Sequence, residues 1–181
     1  MQRIFIFLAD GFEEIEALAP VDVFRRAGMD VTTISINNDL YVRGAHDITI
    51  KADACFSDMD FNSEFLIFLP GGMPGAANLD NHVGLKKLIE NQVDKGREIA
   101  AICAAPFVLG KMGLLKNKEA ICYPGYEHLL KDARISSSAI VKSDNIFTAK
   151  GPGVAVAFAL KIIENISGSK VAEQIAKAMI V

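Results

Sequence analysis

Tryptophan is absent from this 181-residue chain, and cysteine and histidine are scarce, with three of each. Cys55, Cys103 and Cys122 are odd in number and form no CxxC pair, which argues against a disulfide framework and a zinc cluster and fits a reducing compartment. His46, His82 and His128 show no metal-ligand spacing, so surface or capping roles are the default for each. Blocks of like charge are missing too. Nineteen Lys and Arg against 22 Asp and Glu give a net charge of −3, and no arginines interleave with aromatics, so neither a nucleic-acid backbone nor an anionic membrane is the expected partner. No apolar run approaches the length of a membrane span, and the dinucleotide pattern GxGxxG does not occur. Met1-Gln2-Arg3 leads straight into Ile4 to Leu8, too short for a signal-peptide core with a cleavage site, so a cytoplasmic location is expected.

What is present is apolar sequence, 51% of the chain, enough to bury one sizeable core in a single domain spanning residues 1–181. Arg3 to Leu8 and Phe65 to Leu69 are unbroken apolar runs, as expected of central parallel strands covered on both faces. Phe12 to Gly28 has helical spacing, with Pro20 predicting a kink or a late start, and Asp30 to Ile36 is a β-branched strand that completes a βαβ unit. Tyr41 to Arg43 and Asp47 to Lys51 read as short edge strands, while Asp53 to Glu64 has no clear period. Further along, a helix is expected over Leu85 to Lys95 and strands at Ile99 to Ile102, Ala120 to Tyr123, Ala139 to Lys142 and Ile146 to Ala149. A short helix from Tyr126, a long one over Val154 to Ile166 and a terminal one after Gly168 complete the pattern. The alternation predicts an α/β fold: a flavodoxin-like, doubly wound, mostly parallel sheet with helices on both faces and its ligand site beyond the carboxyl ends of the strands.

Three segments then fall at that edge. Ile99 to Ile102 delivers Cys103 to an elbow, and Ala104 to Gly110 starts a helix with Pro106 in its first turn. A sulfur there faces a helix N-terminus and free N–H groups, which favour thiolate; a buried structural cysteine is the alternative. Glu13, Glu14 and Glu16 open the first helix, where acids suit the dipole, but Glu16 lies among Ile15, Ala17, Leu18 and Ala19. An inward-facing Glu16 would stay protonated, donate to a Cys103 thiolate and act as general acid and base. Gly71-Gly72 is a turn by composition; as an oxyanion site, the Gly72 and Ala104 amides would converge on one oxygen. Gly151-Pro152-Gly153 reads as a helix-start device, Cys55 and Cys122 as core or edge residues. His128, shortly after Tyr123-Pro124-Gly125, lies in a region that could approach the cysteine as a base.

The combination of Ala9 to Glu16, Pro20-Val21-Asp22, Leu69 to Gly72, Ala100 to Pro106 and Gly151-Pro152-Gly153 resembles the ThiJ/PfpI superfamily, in the branch of the parkinsonism-associated protein deglycase and its bacterial relatives. The resemblance runs essentially end to end. It implies a homodimer without metal or organic cofactor, a reactive, oxidisable cysteine at Cys103, a protonated glutamate at Glu16, and backbone donors at Gly72 and Ala104. It places Asp22 and Tyr123 near the pocket. Tyr123 stands where many members have a histidine, so a Cys-His dyad would require His128, and an arginine that some relatives place near the dimer-side mouth of the pocket falls on His46. Two functions are consistent with it: a glyoxalase or deglycase acting on small carbonyls such as methylglyoxal or their glycation adducts, and a redox-sensing stress protein or chaperone that uses Cys103 oxidation. Thiazole monophosphate biosynthesis and an intracellular protease rank below both.

Overall fold

A computed structural model describes residues 3–181. Its elements in chain order are β1 (Arg3–Leu8), α1 (Glu14–Arg26), β2 (Asp30–Ser35), β3 (Tyr41–Arg43), β4 (Thr49–Lys51), β5 (Ala54–Cys55) and β6 (Leu66–Leu69). There follow α2 (Gly75–Asn81), α3 (Val83–Asp94), β7 (Ile99–Ile102), α4 (Pro106–Lys111), β8 (Glu119–Ala120), β9 (Arg134–Ile135), β10 (Ile140–Ser143), β11 (Ile146–Ala149), α5 (Ala155–Ser167) and α6 (Ser169–Met179).

Seven strands form one sheet in the order β10-β11-β7-β6-β1-β2-β5, parallel throughout except for the β10–β11 hairpin. The period of two explains why its central strands are apolar without a break. Ile4, Ile6 and Leu8 of β1, Leu66 and Phe68 of β6, and Ala100 and Ile102 of β7 join a core with α1, α5 and α6. Their neighbours Phe5, Phe7, Ile67, Leu69, Ile99 and Ala101 point the other way, into a second core with α2, α3 and α4. Burying one such Leu, Ile or Phe contributes about 1.5–3 kcal/mol, so both faces of the sheet hold it in place. The fold is flavodoxin-like. From β1 the sheet grows outward both ways, to β2 and to β6, and the crevice opens beyond the carboxyl ends at that switch.

Four local expectations change. Helix α1 runs through Pro20 without interruption; as the seventh helical residue, Pro20 withholds only the N–H that the Glu16 carbonyl would have accepted. The strands at Tyr41 and Thr49 do not edge the main sheet. They pair with each other as a hairpin folded over the β1–α1 loop, where the Gly11 N–H donates to the Arg43 carbonyl and that of Ala45 to the Phe12 carbonyl, both at 2.7 Å. The true edge is β5, inside the stretch without a readable period. The strand expected over Ala120 to Tyr123 ends at Ala120, because the next donors leave the ladder: the Ile121 N–H goes to Thr148 Oγ1 and the Tyr123 N–H to the Cys103 carbonyl. Helix α2, unforeseen, precedes α3 and is directed by the glycines at 71, 72 and 75.

Candidate active site

Cys103 follows β7 directly and sits at φ 64°, in the left-handed region that costs a non-glycine residue about 1–2 kcal/mol. Its neighbours hold it there. The Cys103 N–H donates to the Ala149 carbonyl at 2.9 Å, and the Cys103 carbonyl accepts the Tyr123 N–H at 2.7 Å. The elbow leaves the residue 8% exposed.

Glu16 comes from the first turn of α1 and is wholly buried. The helix is capped by Glu13, whose Oε2 accepts the Glu16 N–H at 2.7 Å, and this fixes where the Glu16 side chain begins. Glu16 Oε2 accepts the Gly71 N–H at 2.9 Å, whereas Oε1 makes no hydrogen bond of regular geometry. The Cys103 thiol is the polar side chain that meets this carboxyl. Burial raises the Glu16 pKa to about 7, against the hydrogen bonds from Cys103 and Gly71 that lower it. Burial, then the charge of Glu16, push the Cys103 thiol up to about 12, and the Gly72 and Ala104 amides pull in the other direction. A thiolate favoured by a helix dipole alone is therefore not what the fold provides. Helix α4 has six residues, begins three residues beyond the sulfur and opens on a proline that has no N–H to offer. The thiolate becomes accessible only when Glu16 holds a proton, which removes the repelling charge and turns the acceptor into a donor.

Gly71 and Gly72 both bend the chain and admit a close approach. At Gly72 φ is +85°, and a Cβ there would lie 2.5 Å from the Gly11 carbonyl oxygen. At Gly71 a Cβ would lie 2.7 Å from both the Cys103 Cβ and Glu16 Oε2. A methyl group would enter the gap between nucleophile and acid. Gly71→Ala is expected to destabilise the fold by about 1–3 kcal/mol, read as a lower urea midpoint; an unchanged midpoint would mean that the pair can part freely.

The structure thus gathers Cys103, Glu16, Gly72 and Ala104. Tyr123 is tied to the Cys103 backbone, and its ring packs on Gly151, lining with Pro124, Lys150 and Pro152 a cleft of about 250 Å³. His128 lies in the 3-10 turn Glu127–Leu129 and is not among the groups acting on the Cys103 thiol. Asp22 turns to an exposed face of α1 and pairs with Arg26 at 2.7 Å. A wider groove of about 440 Å³ between α5, α6 and β10 lies away from the sulfur. Sequence spacing missed a cluster beside the site, in which the β3–β4 hairpin carries His46 to Glu13 and Glu14. Only the fold of the hairpin reveals it.

The DJ-1/PfpI family profile matches residues 2–165 of the chain. This chain belongs to the DJ-1/PfpI family. Among similar proteins, protein DJ-1 homolog B of Arabidopsis thaliana is 36% identical over 181 residues, 99% of this chain and 41% of the relative, so this chain spans about two fifths of that protein's length. The glutathione-independent glyoxalase DJR-1.2 of Caenorhabditis elegans is 31% identical over 168 residues, covering 92% of this chain and 89% of that one. Among solved structures, the oxidized DJ-1 of Toxoplasma gondii superposes with a TM-score of 0.95 at 32% identity, over 99% of this chain and 98% of the other. The flavodoxin-like reading of a DJ-1/PfpI chain stands, and no helix among the described residues is long and apolar enough to cross a membrane.

Proposed function

We propose that this chain is a glutathione-independent glyoxalase of the deglycase type, acting as a single domain on small reactive dicarbonyls such as methylglyoxal or their early adducts. The observation that carries the reading is the meeting of the Cys103 thiol with the buried Glu16 carboxyl, between the amides of Gly72 and Ala104. In this reading the Cys103 thiolate adds to the aldehyde carbon, forming a C–S bond, and the oxygen takes up the charge against the two amides. Glu16 then shuttles a proton from the aldehyde carbon to the adjacent ketone carbon, oxidising the first and reducing the second. The thioester that results is cleaved by water to lactate and free thiol. No outside oxidant or reductant enters the balance. The three free cysteines fit a reducing location such as the cytoplasm. Exposed Ile15, Leu18 and Ile48, on α1 and the β3–β4 hairpin, fit a homodimer.

The test is lactate formation from methylglyoxal by the reduced protein with glutathione omitted, followed by NMR. Enzyme-dependent lactate is expected. Its absence with Cys103 reduced would overturn the enzyme and leave the second reading, a sensor in which Cys103 is oxidised and a protonated Glu16 donates to the product, to which the oxidized state of the Toxoplasma relative lends support.

A further inference from the structure

The cluster beside the active site has a different chemistry. Glu13, Glu14 and His46 each present one ligand atom, and these atoms lie within 4.8 Å of one another. His46 Nδ1 is 2.8 Å from Glu14 Oε2 and 3.9 Å from Glu13 Oε1. Donors around a tetrahedral ion with bonds of about 2 Å sit about 3.3 Å apart, so these separations straddle what one cation requires.

The two carboxylates are held in a way that suits ligation. Each spends one oxygen on backbone N–H groups: Glu13 Oε2 on that of Glu16 at 2.7 Å, Glu14 Oε1 on that of His46 at 2.7 Å. The other oxygen of each faces the imidazole. Glu13 is 8% exposed, yet among the described residues its Oε1 accepts no hydrogen bond. An oxygen of a nearly buried carboxylate side chain, aimed at a histidine and without a donor among the described residues, is the observation that asks for a ligand. Gly44 makes room for the arrangement, since a Cβ there would collide with the Glu14 carboxyl. Anchored oxygens of this kind orient metal ligands by fixing their rotamers.

The geometry points to a divalent transition-metal site formed by Glu13 Oε1, Glu14 Oε2 and His46 Nδ1, with water completing the shell. One imidazole and two carboxylates suit Zn²⁺ and its neighbours better than Ca²⁺ or Mg²⁺, which take oxygen alone. Occupation requires His46 to give up its Nδ1 proton, so binding competes with protonation and tightens as pH rises. The groups facing that ring are Glu14, Glu13 and Asp47, the last paired with Arg43. All three acids favour the protonated ring, and a cation would take over the same attraction.

The site does not depend on the reaction proposed for Cys103, and its test is separate. The full chain is titrated with Zn²⁺ by calorimetry, in wild type, His46→Gln, Glu13→Gln and Cys103→Ala. One ion per chain is expected, with affinity at least tenfold weaker in both ligand variants and unchanged within twofold in Cys103→Ala. The imidazole resonances of His46 should shift on binding ahead of those of His82 and His128. Equal binding in His46→Gln, or its loss in Cys103→Ala, would overturn the site, the second result by assigning the ion to the thiol. Because His46 is exposed, its variant separates a lost ligand from a lost fold.

Discussion

Cys103→Ala is expected to lower methylglyoxal turnover at least about 10³-fold, because without the sulfur no covalent intermediate divides the reaction into two easier steps. The amides of Gly72 and Ala104 and the Glu16 carboxyl remain in that variant, so whatever rate survives measures what polarisation alone supplies. Stability should scarcely change on removal of the thiol, since alanine keeps the same strained φ of 64°. Cys103→Gly makes the comparison informative. It should be equally inactive yet about 1 kcal/mol more stable than Cys103→Ala, because glycine adopts that φ freely. Substantial lactate formation by either variant would remove Cys103 from the chemistry.

Glu16→Gln carries the second large effect, and it divides activity from stability. Glutamine can still accept the Gly71 N–H through its carbonyl oxygen, so the loop stays anchored while the transferable proton is gone. Turnover is expected to fall by about 10²–10⁴-fold. The pH profile should change with it. Cys103 and Glu16 lose their first shared proton near the value of about 7 to which burial raises Glu16, so wild-type kcat/KM should rise through that pH. The variant should lack the step. Stability moves the other way. An acid whose pKa is raised on folding binds more protons folded than unfolded between its ordinary value of 4.5 and about 7. The wild-type fold therefore loses stability as pH climbs through that window, by up to about 3 kcal/mol when the carboxyl is fully ionised. Glu16→Gln escapes this loss. Urea unfolding should show it more stable than wild type at pH 8 and little different at pH 4; equal stability at both would mean that Glu16 ionises without hindrance.

How much of this was legible depended on whether the signal was local. Runs such as Ile4 to Leu8 and Ile99 to Ile102 announce central strands because both of their faces are buried, and a cysteine after the last apolar residue marks an elbow. Glu16 stood out as an acid among apolar neighbours, and it is indeed wholly buried. The ionisation of Cys103 was not legible. Spacing locates a helix N-terminus but not the length of the helix, the depth of the sulfur or the carboxyl against it, and those three decide the proton's position. The β3–β4 hairpin failed for a similar reason. Its two strands are correctly placed in the chain, but which surface they cover is set by Gly11 and Phe12, about thirty residues upstream, through backbone bonds that side-chain patterns do not encode. His46 shared that fate, since its acidic neighbours belong to another element.

The shallow window through which Cys103 meets solvent sorts reagents by cross-section before any chemistry starts. A residue 8% exposed, with Gly71 and Glu16 packed beside its Cβ and its carbonyl tied to the Tyr123 N–H, would admit a peroxide or a three-carbon dicarbonyl more readily than a bulky aromatic disulfide. A sugar adduct on a folded protein must present its carbon at the tip of a flexible side chain to arrive at all. Steric admission, more than recognition by polar groups, is how such a site would discriminate among the electrophiles of a cell.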